Sequence, residues 1–389
     1  MPIVNRVADL QPDIQAWRRD IHEHPELLYD VHRTAGFVAD RLKEFGCDEI
    51  VTGLGKTGVV GVIKGRQPAS GDIKVIGLRA DMDALPVEEA TGLPYASKTP
   101  GLMHACGHDG HTAMLLGAAR YLAETRNFAG DAVVIFQPAE EGGAGAQAMI
   151  NDGLMERFKI DQVYGMHNGP GLPVGSFAIR PGPLMAATDS IDIVIEGRGG
   201  HAAQPHKCID SLLVGAQLVT VLQQIVGRNV DPLESAVISI CEFHAGNARN
   251  VIPQTAILRG TVRTLTPKVR ELVERRVQEV VDGVALVTGA KIALTYIRGY
   301  PVTVNHAEQT ETALRAAKEI AGEANVHEMP PMMGAEDFSY MLEARPGAFI
   351  FCGNGDSAGL HHPAYNFNDE AIVYGTSYFV KIVENTLAA

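Results

Sequence analysis

Within residues 104–111, His-Ala-Cys-Gly-His-Asp-Gly-His, three histidines, a cysteine and an aspartate share eight positions. Cys106 and His108, separated by one residue, offer a thiolate and an imidazole, the donors that borderline divalent metals prefer. The segment follows a Pro100-Gly101 turn and leads into an apolar run, Thr112 to Ala119, with the character of a buried helix. By itself it fits a metal site, a cysteine nucleophile with a histidine base, or chance.

Further metal-capable residues lie in Arg79-Ala-Asp81-Met-Asp83, Gln137-Pro-Ala-Glu140-Glu141, Met166-His167-Asn168 and Leu360-His361-His362-Pro363. A single histidine at a strand end is more often a structural hydrogen-bonder than a ligand, and a Glu-Glu pair is usually a solvated turn. Glu140-Glu141, however, leaves the run Val-Val-Ile-Phe and enters Gly-Gly-Ala-Gly. Two carboxylates at such a turn repel unless cations neutralise them or one is protonated. Hydrolysis by two metals about 3.5–4 Å apart needs this kind of set. One carboxylate ligates while its neighbour serves as general base and then acid.

The elements that must position these residues are short strands and helices in alternation. Ile73–Leu78, Ala132–Phe136, Gln162–Gly165 and Ala348–Cys352 read as buried strands, with helices near 112–126, 144–152 and 307–322. That is an α/β layered domain, and three of the polar clusters sit at the C-terminal ends of its strands, where open α/β sheets build sites. Residues 9–45 carry helical periodicity with a break at His24-Pro25. His22-Glu23-His24 lacks the i, i+4 histidine pair of a helical zinc site, so a capping or supporting role is expected. Gly53-Leu-Gly55-Lys-Thr-Gly58 matches a dinucleotide fingerprint but precedes a strand, Val59–Ile63, instead of a helix, and is expected to turn a hairpin.

Residues 188–300 follow another pattern. Strands at Ser190–Glu196, Ala236–Phe243, Ala256–Thr264 and Ile292–Ile297 and helices at Ile209–Val226 and Lys268–Val287 give β-α-β-β-α-β, a ferredoxin-like unit. The α/β pattern resumes after Tyr300-Pro301, so residues 1–187 and 301–389 are expected to form one domain interrupted by an inserted one.

With 33 Lys and Arg against 46 Asp and Glu, the net charge of −13 repels phosphate backbones, and no nucleic-acid partner is expected. No run approaches the roughly 18 apolar residues of a membrane span, and the first residues do not resemble a signal peptide. Five widely spaced cysteines (47, 106, 208, 241 and 352) point to a reducing cytoplasm and not to a disulfide framework.

The runs R-A-D-M-D-A-L-P (79–86), M-H-A-C-G-H-D-G-H (103–111), F-Q-P-A-E-E-G (136–142), H-A-A-Q-P-H (201–206), N-V-I-P (250–253) and L-H-H-P (360–363) resemble the hippurate hydrolase and auxin-conjugate hydrolase branch of the aminoacylase–carboxypeptidase G superfamily. The resemblance spans nearly the whole chain, in order. It implies an amidohydrolase with two divalent metals (zinc, manganese, cobalt or nickel) held by Cys106, His108, Glu141, His167 and His361. It implies Glu140 as catalytic base, Asp83 orienting a ligand, and the insert as lid and dimerisation surface. His201 would stabilise the oxyanion, delivered from the lid of a partner subunit, and Asn250 and Arg298 would hold the substrate carboxylate. Asp81 stands where more distant relatives carry a ligating histidine, so ligation and support both stay open for it. The segment Lys207-Cys208-Ile209-Asp210-Ser211 lacks a proline that similar proteins often have after the aspartate.

The expected reaction is hydrolysis of the amide of an N-acyl or N-aroyl amino acid by a metal-activated water. A metallo-dipeptidase or carboxypeptidase is the alternative. A Cys106-nucleophile amidase leaves Glu140, Glu141, His167 and His361 without a task, and a non-catalytic binding protein would not need an intact base.

Overall fold

The computed structural model describes residues 4–67 and 74–388. Ile73, which opens the first expected strand, and Met1 to Ile3 lie outside the described residues. The chain forms two compact units, Met1–Gly182 with Val304–Pro330 and Asp337–Ala389, and Pro183–Thr303 with Pro331–Glu336.

In the first unit, helices α1 (Asn5–Glu23) and α2 (His32–Phe45) precede the hairpin of β1 (Glu49–Leu54) and β2 (Gly58–Lys64). The glycine-rich segment turns this hairpin, with Gly53, Gly55 and Lys56 all at positive φ, as the absence of a following helix required. Strands β3 (Val75–Asp81), β4 (Asp131–Gln137), β5 (Gln162–Pro170) and β6 (Phe177–Ile179) follow, joined through α3 (His108–Thr125), α4 (Gly145–Asn151) and α5 (Leu154–Arg157). Past the second unit come α8 (Ala307–Ala321), β15 (Val326–Glu328), α9 (Ser339–Ala344), β16 (Gly347–Gly355) and α10 (Ile372–Thr386).

The eight-stranded sheet has the order β1-β2-β4-β3-β5-β16-β6-β15. Its centre, β4-β3-β5-β16, is parallel, and these strands are apolar runs buried on both faces. Parallel pairing puts their C-terminal ends on one edge: Asp81 pairs with Gln137, Arg79 with Gly165, and His167 with Phe351. α3 is buried from His108 to Ala119 and begins four residues before the expected Thr112, because left-handed Gly107 starts the helix at His108. The metal-capable cluster therefore occupies the loop and first turn of a helix packed in the core.

In the second unit, β8 (Ala187–Glu196), α6 (Ser211–Arg228), β10 (Ala236–Ala245), β12 (Thr255–Thr264), α7 (Pro267–Thr288) and β13 (Lys291–Arg298) form the βαββαβ pattern, with sheet order β10-β12-β8-β13. Short strands β9 (Gly200–His201) and β11 (Val251–Ile252) pair apart from it, and β7 (Gly182–Met185) and β14 (Thr303–Asn305) lie at the joins. Ile191, Ile193 and Ile195 alternate inward against Val214, Leu218, Leu222 and Ile225 of α6 and Val269, Val273, Val277 and Val281 of α7. Helix-period and strand-period apolar faces thus meet in one core. α6 begins at Ser211, two residues after the expected Ile209, since the Asp210 carboxylate caps Leu212 and Leu213 N–H. Pro331–Glu336 joins this unit because Met332 N–H donates to Leu184 O and Ala186 N–H to Gly334 O.

Candidate active site

The loop Cys106-Gly107-His108 is forced into shape by what touches it. A Cβ on Gly107 would stand 2.4 Å from Asn168 Nδ2 and 2.5 Å from the Tyr365 hydroxyl, and Gly107 holds φ +88°. Only glycine fits there. Asn168 Nδ2 donates to Cys106 O at 2.6 Å, and Tyr365 donates to Asn168 Oδ1 at 2.8 Å, so the loop is tied to the end of β5. His361, at left-handed φ, donates its backbone N–H to Ala105 O at 2.8 Å, which brings the Leu-His-His-Pro loop to the same place.

Hydrogen bonds to one ring nitrogen decide what the other can do. His108 donates Nδ1–H to the Asp83 carbonyl at 2.8 Å, and its buried Nε2 has no hydrogen-bond partner among the described residues. His167 donates Nδ1–H to Asn168 O at 2.7 Å, and its Nε2 faces Cys106 Sγ at 3.4 Å. His361 Nε2 stands 3.2 Å from Glu141 Oε1. Cys106, His108 and His167 present donor atoms within 4.8 Å of one another, as do Cys106, Glu141 and His361. Cys106 belongs to both triads.

His111, which the resemblance did not count among the ligands, differs. Its Nε2 accepts Asn168 N–H at 2.9 Å and its Nδ1–H goes to Asp81 Oδ1 at 2.7 Å, so both nitrogens are engaged. Asp81 in turn accepts Arg79 Nη1 on Oδ2 at 2.8 Å. Buried Arg79 and Gln137 both bind Asp337, which also accepts Ala146 N–H at 2.9 Å. This places Asp81 in a buried network, and Asp81, His108 and His111 also present donor atoms within 4.8 Å of one another, so both of its roles stay open.

The Glu140-Glu141 turn is built on Asp83, whose two carboxylate oxygens accept Glu140 N–H at 3.0 Å and Glu141 N–H at 3.1 Å. Ala139 and Ala144 are left-handed, and a Cβ on Gly145 would meet Pro138 O at 1.6 Å. Left-handed non-glycine residues cost about 1–3 kcal/mol each and persist only where surroundings over-determine them. His108, Glu140 and Glu141 also present donors within 4.8 Å of one another.

The charges of this pocket call for cations. Burial, with Glu141 adding to it, pushes the Cys106 thiol up. For His108 burial alone would lower the pKa, but Asp81 and Cys106 outweigh it and raise it well above the ordinary value. Hydrogen bonding to Cys106 and Glu141 takes His361 up to about 10. Burial and the neighbouring His111 hold His167 well below, keeping it neutral. Soft and hard donors packed this closely, with a buried orphan imidazole nitrogen, fit divalent metal ions.

Residues 77–385 match peptidase family M20/M25/M40. The chain is 44% identical to hippurate hydrolase from Campylobacter jejuni over 98% of both chains. It is 42% identical to N-acetyl-L-cysteine deacetylase from Bacillus subtilis, over 96% of this chain and 88% of that one. The chain belongs to peptidase family M20/M25/M40. A dinuclear metal-binding peptidase of the M20 family from Bacillus subtilis superposes with a TM-score of 0.85 at 35% identity, over 98% of this chain and 99% of that one. The protein is a metal-dependent amide hydrolase of a family with a dinuclear member.

The remaining candidates of this family member lie in the second unit. His201 is exposed on β9 and pairs with Val251, which brings Asn250 beside it, with Asn250 O accepting Ala202 N–H at 3.0 Å. Arg298 is not brought to them. It pairs with Asp189 near the start of β8, whereas His201 follows the other end at Glu196, about 23 Å away at 3.3 Å per residue. Its guanidinium is engaged by Glu274 at 2.7 Å from Nε. His22 and His24 hold structure, as expected of them: His22 Nδ1 bonds Asp109 in the first turn of α3 at 2.8 Å, and His24 Nδ1 bonds Asp20 O. Sequence reading missed Asn168, Tyr365, Arg79 and Asp337. The arginine and the Asn after His167 stood inside the motifs that flagged their neighbours.

Proposed function

We propose that this protein hydrolyses the amide bond of N-acyl amino acids, with Cys106, His108, Glu141, His167 and His361 holding two divalent cations and Glu140 acting as base. The observation that carries this reading is the convergence of five donors on two triads with a buried second carboxylate, Glu140, beside them. When bound, two cations supply Lewis acidity toward the amide carbonyl and lower the pKa of water. Glu140 takes the proton of the attacking water and returns it to the leaving nitrogen. Asp83, gripping both backbone N–H groups of the turn, keeps base and ligand at fixed separation.

His201 is suited to the developing oxyanion. Its Nδ1 accepts Ala203 N–H at 3.0 Å, which leaves Nε2–H on an exposed ring to donate. Asn250, next to it, would bind the carboxylate, and Arg298 is left to its ion pair. A second copy of the chain would bring His201 and Asn250 to a site. Exposed Leu212 and Leu213 on α6 and the edge strand β10 offer the apolar surface for such a dimer. Zinc, manganese, cobalt and nickel all suit the donor set. None of the five cysteines is in a disulfide, in keeping with a reducing cytoplasm, and among the described residues no helix is long and apolar enough to cross a membrane.

The test is Glu140→Gln assayed with metal analysis, on a panel of hippurate, N-acetyl amino acids and dipeptides. Turnover should fall by up to about 10⁴-fold with two metals per chain retained. Loss of metal together with activity would remove Glu140 as base, and preferential dipeptide cleavage would favour a metallo-dipeptidase.

A further inference from the structure

A turn that carries adjacent carboxylates on left-handed backbone must be held from outside, and one loop does so. The loop after α1 contacts three segments in succession. Glu26 O accepts Ala84 N–H at 2.8 Å, next to Asp83. Leu28 O accepts Ala139 N–H at 3.1 Å, immediately before Glu140. The Tyr29 hydroxyl donates to Gly143 O at 2.6 Å, two residues past Glu141, while Tyr29 O accepts the Thr57 hydroxyl at 2.9 Å. Leu28 is itself left-handed, as are Ala139 and Ala144 in the turn and Lys56 in the hairpin, whose Nζ stands 4.1 Å over the Tyr29 ring. Four of the seven left-handed non-glycine residues among those described therefore surround this one grip.

We propose that Tyr29 is a positioning residue for the Glu140-Glu141 turn, its hydroxyl bond to Gly143 fixing where the base stands relative to the donors behind it. This rests on the reading of Glu140 as base. Leu28 and Tyr29 hold the two sides of the turn, and Asp83 holds its floor. Without the phenol, the Gly143 side swings on Gly142 and Gly143, while the ligands on α3 and β5 stay anchored by Asn168. A misplacement of about 1 Å costs up to 100-fold in rate. The position of the base should suffer and ground-state binding should not.

The test is Tyr29→Phe, which keeps the ring under Lys56, beside Lys56→Met, which keeps the hydroxyl. Tyr29→Phe should lower kcat about 10- to 100-fold, with KM within about twofold and two metals retained at saturating metal, four of the five ligands lying off the turn. In the chelated protein, amide hydrogen exchange across residues 138–146 should quicken in Tyr29→Phe and stay as in the parent for Lys56→Met. An unchanged kcat, or exchange in that segment as slow as the parent's, overturns the proposal. So does a loss shared equally between kcat and metal content. Glu140→Gln run in parallel separates the two readings: if it stays active, the base assignment fails, and if it is dead while Tyr29→Phe is fully active, only the positioning role fails.

Discussion

The two units solve opposite problems with histidine. In the first, His108 and His167 are buried, their tautomers set by bonds to Asp83 O and Asn168 O, and their free nitrogens aimed at other donors. In the second, His201 is exposed on a two-residue strand, its orientation set only by the local Ala203 N–H. Buried donors are preorganised and cost stability through desolvation and backbone strain. An exposed side chain carries no such desolvation cost.

That contrast predicts different losses. The largest is Glu140→Gln, expected to lower kcat by up to about 10⁴-fold with metal content and melting temperature kept, as read by kinetics, elemental analysis and calorimetry. Next is His201→Ala, for which removal of an oxyanion donor should cost about 10²- to 10³-fold in kcat. Because the ring is exposed, thermal stability should not move, and a fall in melting temperature would show His201 to be structural. Asp83→Asn replaces one of two acceptors under the turn and should weaken metal affinity about 10- to 100-fold, measured by competition with a chelator. If affinity holds, Asp83 does not brace the ligand turn.

The smallest effect concerns the Arg18–Asp109–His22 network under the first turn of α3. Burial would lower the pKa of His22, but Asp109 outweighs it and raises it to about 9 from an ordinary 6.5. A raised folded-state pKa contributes stability that is fully present below pH 6.5 and lost as pH rises through 9. Stability should therefore fall by up to about 3 kcal/mol across that window, and His22→Gln should flatten the slope there in denaturant titrations at fixed metal. A parent curve flat from pH 6.5 to 9 would remove His22 as a charged partner of Asp109. Near this network His104 is buried with both ring nitrogens unpartnered, and burial, though opposed by Asp109, takes it down to about 3, so it remains neutral throughout.

Much of both units was legible because the signals are local. Apolar runs ended in polar clusters, the Gly-Gly-Ala-Gly run marked a turn, and the βαββαβ unit announced itself through alternation in β8 and i, i+4 spacing in α6 and α7. Boundaries shifted where a side chain or a left-handed residue intervened, as with Asp210 at α6 and Gly107 at α3. Arg298 could not be placed because strand register decides which end of the sheet it occupies.

The sequence by itself determined the donor types, their order and their places at strand ends, since period-2 and period-3.6 patterns and obligatory glycines are properties of neighbouring residues. Only the resemblance set His108 apart from His104 and His111; residue type and spacing alone did not. The tertiary structure gives the three different partners, far away in sequence. Asn168 and Asp81 engage both nitrogens of His111, the Asp83 carbonyl engages one of His108, and His104 has no hydrogen-bond partner among the described residues. A lone pair is available only where folding leaves it unspent, and folding alone assigns those bonds.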